Sequence, residues 1–132
     1  MSRLPDQIWD SLRRRLVPAT PEEDIRQRFI TFLLERGYPQ GAIQVEFSTG
    51  QGRFDIAVNA PDGSLWLLVE CKAAATTISS LEKQAMQALS QLRRYRKHLP
   101  FVHHFSVVLG ERVWCWRLED GESLSDIPAY PA

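Results

Sequence analysis

Hydrophobic residues recur at helical spacing in two long stretches of the chain and alternate or run together in five shorter ones. The first helical stretch follows Thr20, with Ile25, Phe29, Phe32 and Leu33 forming an apolar stripe. Thr20 is suited to the N-cap, Pro21 to the first helical position, and Glu22 and Glu23 to the positive end of the helix dipole. Glu23, three residues after Thr20, completes a capping box, and Gly37 stops the helix near Arg36. The second stretch covers roughly residues 79–98, where Leu81, Ala85, Ala88, Leu89, Leu92 and Tyr95 share a face before Pro100. Between the helices, IQVEFS (43–48), RFDIAVNA (53–60) and SLWLLVECKA (64–73) read as strands. TGQG joins the first two, and the PDG turn at 61–63 joins the last two into a hairpin. HHFSVVLG and RVWCWRL, about Gly110 and Glu111, add two more strands.

A weaker pattern at residues 6–16, with Ile8, Trp9, Leu12 and Leu16, predicts a short amphipathic helix. The tail, 119–132, is acidic and then proline-rich and is expected to be loosely held. The order is helix, three strands, helix, two strands, which predicts an α/β or α+β domain with a mixed sheet between helices. One domain of 132 residues follows: an N-terminal helical extension over 1–19, a core over 20–117 and a tail over 118–132.

Composition narrows the function. Sixteen basic and sixteen acidic residues give a formal net charge of zero, so a general polyanion-binding surface is not indicated. Cys71 and Cys115, the two cysteines, each sit in an apolar run and read as buried thiols. The N-terminal segment has no apolar signal core, and no stretch approaches the ~20 apolar residues of a membrane span. The expectation is a cytoplasmic protein with no membrane partner.

The chemistry gathers around VECKA. On a strand, Glu70 and Lys72 project to one side and Val69, Cys71 and Ala73 to the other. Asp55 interrupts the apolar alternation of the preceding strand, and pairing about Asp62 and Gly63 sets position 55 roughly opposite position 70. Two adjacent carboxylates repel unless a cation or a proton lies between them. A hard divalent ion suits them, and Mg²⁺ fits best because it accepts few protein ligands and keeps its waters. The Cys71 carbonyl offers a further oxygen, and Lys72 stands where it can orient or help deprotonate a metal-held water, or offset charge developing on a phosphate.

The segment Asp55, then Glu70-Cys71-Lys72, resembles the core of the PD-(D/E)XK nuclease superfamily, in a version lacking the proline before the aspartate. More closely, TPEEDIRQRFITFLLERGYP, GRFDIAV, LLVECKA and QLRRY are similar to the N-terminal nuclease domain of type I restriction enzyme R subunits. The resemblance implies a restriction-endonuclease-like αβββαβ core that cleaves DNA phosphodiesters with Mg²⁺, for which Mn²⁺ can substitute. It implies metal ligation by Asp55 and Glu70 and the catalytic lysine place for Lys72. It carries the first-helix glutamate onto Glu22, with Glu23 the near alternative, and the glutamine and tyrosine of these nucleases onto Gln91 and Tyr95. Bottom-up, Glu22 stands near the stripe, within reach of Arg26, and Glu23 is rotated away; Gln91 and Tyr95 share a helix face.

Arg93, Arg94, Arg96, Lys97 and His98 follow on the same helix end and suit a nucleic-acid backbone or a plain solvated face. His103 and His104 lack a partner at metal-ligand spacing, and Trp66, Trp114 and Trp116 read as sheet packing. The stretch contains no GxxxxGK[ST] sequence, so neither a nucleotide cofactor nor a motor activity is expected of it. A deoxyribonuclease in restriction, defence or repair, working as a homodimer or with a partner subunit, is one reading. The alternative is a non-catalytic nucleic-acid-binding or assembly module with a nuclease fold.

Overall fold

The computed structural model describes residues 7–10, 12–50, 52–73 and 77–132. Helix α1 (Pro21–Glu35) precedes three antiparallel strands, β3 (Ile43–Thr49), β4 (Gly52–Asn59) and β5 (Leu65–Lys72). Helix α2 (Ile78–Tyr95) leads into β6 (Val102–Leu109), which pairs parallel to β5. Strands β7 (Arg112–Arg117) and β8 (Ser123–Leu124) continue antiparallel, so the sheet order is β3-β4-β5-β6-β7-β8. The one parallel pair among the described strands is the one that needs a crossover, and α2 supplies it.

The helices cover opposite faces. Ile25, Phe29, Ile30 and Leu33 of α1 pack with Ile56, Val58, Leu67, Val69, Cys71 and Val108. Leu81, Ala85, Ala88, Leu89 and Leu92 of α2 pack with Ala57, Leu68, Phe105, Val107 and Trp116. Strand β5 is therefore buried on both sides, which is why LWLLV reads as a continuous apolar run rather than an alternation. Cys71 and Cys115 are buried free thiols.

The local signals act as their chemistry dictates. The Thr20 hydroxyl accepts from the Glu23 N–H at 3.1 Å. At the other end of α1, Tyr38 N–H donates to the Leu33 carbonyl at 3.0 Å and Gly37 N–H to that of Leu34 at 3.1 Å. This paired closure requires a left-handed residue, and Gly37 has φ +88°. In the β4–β5 hairpin Gly63 N–H donates to Ala60 at 2.9 Å with φ +89°, again in the conformation glycine tolerates.

Two expectations are corrected. The short helix read at 6–16 is instead a hairpin of β1 (Gln7–Asp10) and β2 (Arg15–Pro18); residues 6 and 11 fall outside the described ones. Asp10 decides this. Its carboxylate accepts from the N–H groups of Leu12 (2.9 Å) and Arg13 (3.0 Å) and from the Arg13 side chain, which closes a turn in place of a helical one. The tail is not loose. Strand β8 extends the sheet, Ile127 is buried, the Tyr38 hydroxyl donates to the Pro128 carbonyl (2.6 Å), and the Tyr130 hydroxyl donates to that of Asn59 (2.8 Å).

Candidate functional site

The antiparallel ladder between β4 and β5 runs to Ile56 opposite Val69. One residue further, the Cys71 N–H donates to Asp55 Oδ2 at 2.7 Å, so a carboxylate takes the place of a backbone partner. Glu70 and Lys72 follow the alternation of β5, with Lys72 Nζ 3.9 Å from Glu70 Oε2. The side chains of Asp55, Glu70 and Lys72 are 35%, 21% and 48% exposed, so the group sits at the sheet's end in partial contact with water. Burial pushes the Glu70 carboxyl up from its ordinary range; the Lys72 charge opposes that rise, and the Asp55 charge adds to it.

The two carboxylates lean to different sides. Glu70 faces a small cleft of about 70 Å³ on the α2 side, shared with Gly52, Arg53, Phe54, Gln91, Leu92 and Tyr95. Gln91 and Tyr95, one turn apart on α2, thus meet Glu70 across space. Asp55 turns toward α1, where its Oδ1 is 3.9 Å from Arg26 Nη1. The cause is a twist in the β3–β4 pair. Val45 packs with the α1-side core and Phe47 with the α2-side core, although they are two residues apart; Ile56 and Phe54 divide in the same way. Between Val45 and Phe47, Glu46 takes the left-handed conformation with φ 54°.

On the α1 side the carboxylates are tied to arginines. Glu23, only 4% exposed, pairs with both Arg13 and Arg26 and accepts from Gln27 Nε2 at 3.2 Å. Glu46 Oε1 is 2.9 Å from Arg13 Nη1, 3.1 Å from Arg53 Nη2 and 3.8 Å from Arg26 Nη1. Glu22 is exposed. The orientation read from the sequence is therefore reversed: Glu23 turns inward and takes Arg26, and Glu22 faces out. The stripe alone misleads here because Arg13, from the N-terminal hairpin, supplies the charge that makes Glu23's burial tolerable. Arg13, Arg53 and Glu46 were not singled out in the sequence; Glu46 looked like one more polar position of an alternating strand. Arg26 figured only as a partner for Glu22.

Among the described residues, no three His, Cys, Asp or Glu side chains gather as a metal-holding cluster. His103 and His104 are accounted for otherwise. Ser64 Oγ lies 3.0 Å from His103 Nε2, and His104 Nδ1 lies 3.1 Å from the Trp66 carbonyl with its pKa lowered by burial. Trp66 meets the His103 ring at a tilt and the His104 ring edge-on, and donates from Nε1 to the Tyr38 hydroxyl at 3.1 Å. No described helix is long and apolar enough to cross a membrane.

A mixed sheet covered by one helix on each face makes this an α/β domain, consistent at a coarse level with a restriction-endonuclease-like architecture. The chain belongs to the family described as Type I restriction enzyme R protein N terminus (HSDR_N), whose model matches residues 21–131. The match extends through β7 and β8 and takes in the tail segment that packs against Tyr38. No curated protein and no solved structure gave a significant match.

Proposed function

We propose that this domain is a divalent-metal-dependent deoxyribonuclease of the PD-(D/E)XK type. The observation that carries the reading is the meeting of Glu70, on β5, with Gln91 and Tyr95, on α2, in one cleft, with Lys72 Nζ 3.9 Å from Glu70 Oε2. Residues far apart in the chain that form no core have converged at a sheet end. Glu70's resistance to ionisation supports the cation, because a buried carboxylate beside a second one gains from a positive charge. Asp55 and Glu70 would hold Mg²⁺ or Mn²⁺, with the Cys71 carbonyl as a further oxygen, provided that Asp55 turns from Arg26 toward Glu70. When bound, the ion would supply Lewis-acid stabilisation of the phosphate and a more acidic water.

The chain's own groups have separable tasks. Lys72 places an ammonium at the exposed end of β5, where it offsets negative charge growing on a phosphodiester in the transition state. Gln91 and Tyr95 present an amide and a hydroxyl to a phosphate entering the cleft. Arg93, Arg94 and Lys97 lie on the exposed side of the same helix end and suit the backbone of a DNA strand. Cutting both strands of a duplex in one binding event calls for a second copy or a partner subunit, since one such site hydrolyses one bond at a time.

One observation favours the alternative, a nucleic-acid-binding or assembly module without turnover: Asp55 already has partners in the Cys71 N–H and Arg26. The test is cleavage of supercoiled and linear DNA, single- and double-stranded, with Mg²⁺ or Mn²⁺, by wild type and by Asp55→Asn and Glu70→Gln. Metal-dependent cutting lost in both variants supports the nuclease. DNA binding by wild type without cutting under any of these conditions supports the module.

A further inference from the structure

Arg26 sits at the join between α1 and the candidate site. One of its terminal nitrogens pairs with the buried Glu23, while the other lies 3.8 Å from Glu46 Oε1 and 3.9 Å from Asp55 Oδ1. Its Nε is a buried donor without a hydrogen-bond partner among the described residues. The side chain is only 12% exposed. A guanidinium so poorly hydrated is held by its carboxylates, and Glu23 is held in turn by Arg13 and Gln27. Asp55 is thereby set from two directions: Oδ2 by the Cys71 N–H at 2.7 Å and Oδ1 by the Arg26 charge.

We propose that Arg26, anchored by Glu23, is a positioning residue that fixes the Asp55 carboxylate beside the end of the β4–β5 ladder and, by its charge, keeps cation binding there weak. The catalytic consequence rests on the nuclease reading above; the positioning of Asp55 does not. An arginine suits the place because its planar fork reaches Glu23 with one nitrogen while directing another toward Asp55 and Glu46. A lysine ammonium supplies the charge without the fork. The same charge opposes a divalent ion arriving at Asp55, so Arg26 improves geometry at the expense of affinity.

The two effects have opposite signs in Arg26→Gln, which a purely structural residue would not produce. The variant is expected to bind Mn²⁺ about tenfold more tightly by calorimetry, the order set by removing one nearby unit charge. The single-turnover rate constant for DNA cleavage is expected to fall on the order of 10²-fold, with the half-saturating enzyme concentration little changed, as for a misplaced reacting group. Arg26→Lys is expected to return Mn²⁺ binding to its weak value while leaving cleavage slow.

Amide hydrogen exchange, without metal or DNA, reads the positioning directly. In Arg26→Gln the Cys71 amide is expected to lose at least about tenfold in protection while the amides of Leu67 and Val69 keep theirs. Uniform loss across β5 would make Arg26 a support of the fold only, and unchanged Cys71 protection would overturn the proposal. If wild type neither binds Mn²⁺ nor cuts DNA while Cys71 protection falls selectively in Arg26→Gln, the nuclease reading fails and the positioning of Asp55 stands.

Discussion

The backbone N–H of Cys71 donates to Asp55 Oδ2 at 2.7 Å, which couples the acid of β4 to the strand that carries Glu70 and Lys72. This bond ties three residues of the candidate site to one piece of backbone. A change at Asp55 is therefore felt at the end of β5, and losses at these positions are expected to be non-additive.

Lys72→Ala is expected to fold as wild type and bind DNA comparably, because the side chain is half exposed and its one ion-pair contact among the described residues, with Glu70, is long. Its cleavage rate should fall on the order of 10²–10³-fold, the usual cost of removing an aimed electrostatic partner. Lys72→Arg should rescue poorly, since a broad guanidinium does not replace a compact ammonium. Purified variants assayed beside wild type decide the point, and equal cutting by Lys72→Ala would remove the activity from this site.

Glu70→Gln should separate stability from function. Burial first, with Asp55 adding and Lys72 opposing, raises the Glu70 pKa in the folded state. The sign follows: a group raised on folding contributes stability fully present below its unfolded pKa and lost as pH rises through the folded value. At neutral pH the ionised carboxylate therefore works against the fold. The glutamine variant should melt higher at neutral pH while losing cleavage. Thermal melts at pH 7 and pH 4 check this, because the gain should shrink at the lower pH.

The N-terminal hairpin should be acid-labile. Burial raises the Asp10 pKa, but the backbone and side chain of Arg13 and the backbone of Leu12 outweigh it and leave the pKa below its ordinary value of 3.8. A pKa lowered on folding contributes stability present above the unfolded value and lost as pH falls through the folded one, here below about pH 4. Amide exchange in residues 7–18 should accelerate in that range before the sheet opens. Asp10→Ala should produce the same opening at pH 7, because the Leu12 and Arg13 N–H groups lose their acceptor while Arg13 keeps Glu23 and Glu46, at a cost of about 1–3 kcal/mol.

Tyr38→Phe should loosen the tail. The hydroxyl accepts from Trp66 Nε1 and donates to the Pro128 carbonyl, and burial pushes its pKa up to about 12, so it remains a donor at any ordinary pH. Its removal leaves two partly buried groups unpaired, a loss of about 1–3 kcal/mol. The melting temperature should drop and proteolysis near Pro128 should quicken; an unchanged melt would mean that water replaces the hydroxyl.

Periodicity alone determined the helices at α1 and α2 and the five main strands, because each is long enough for its apolar spacing to be distinctive. Thr20, Gly37 and the PDG turn bounded them through local hydrogen bonding and left-handed backbone, which need no distant partner. Asp55, Glu70 and Lys72 stood out as charge in apolar strands, whereas Gln91 and Tyr95 were marked by the family resemblance, with which their shared helix face agrees. What lay between elements was not legible. Ile8, Trp9, Leu12 and Leu16 fit a helix or a hairpin equally, and the Asp10 turn together with Arg13's reach to Glu23 and Glu46 chose the hairpin. The inward turn of Glu23 depended on Arg13, ten residues away, and on the twist at Glu46. Buried charge is tolerable only beside its partners, and those partners are assembled by tertiary structure. The chain's spacing could mark which residues carry charge, but only the fold decided which of those charges would meet.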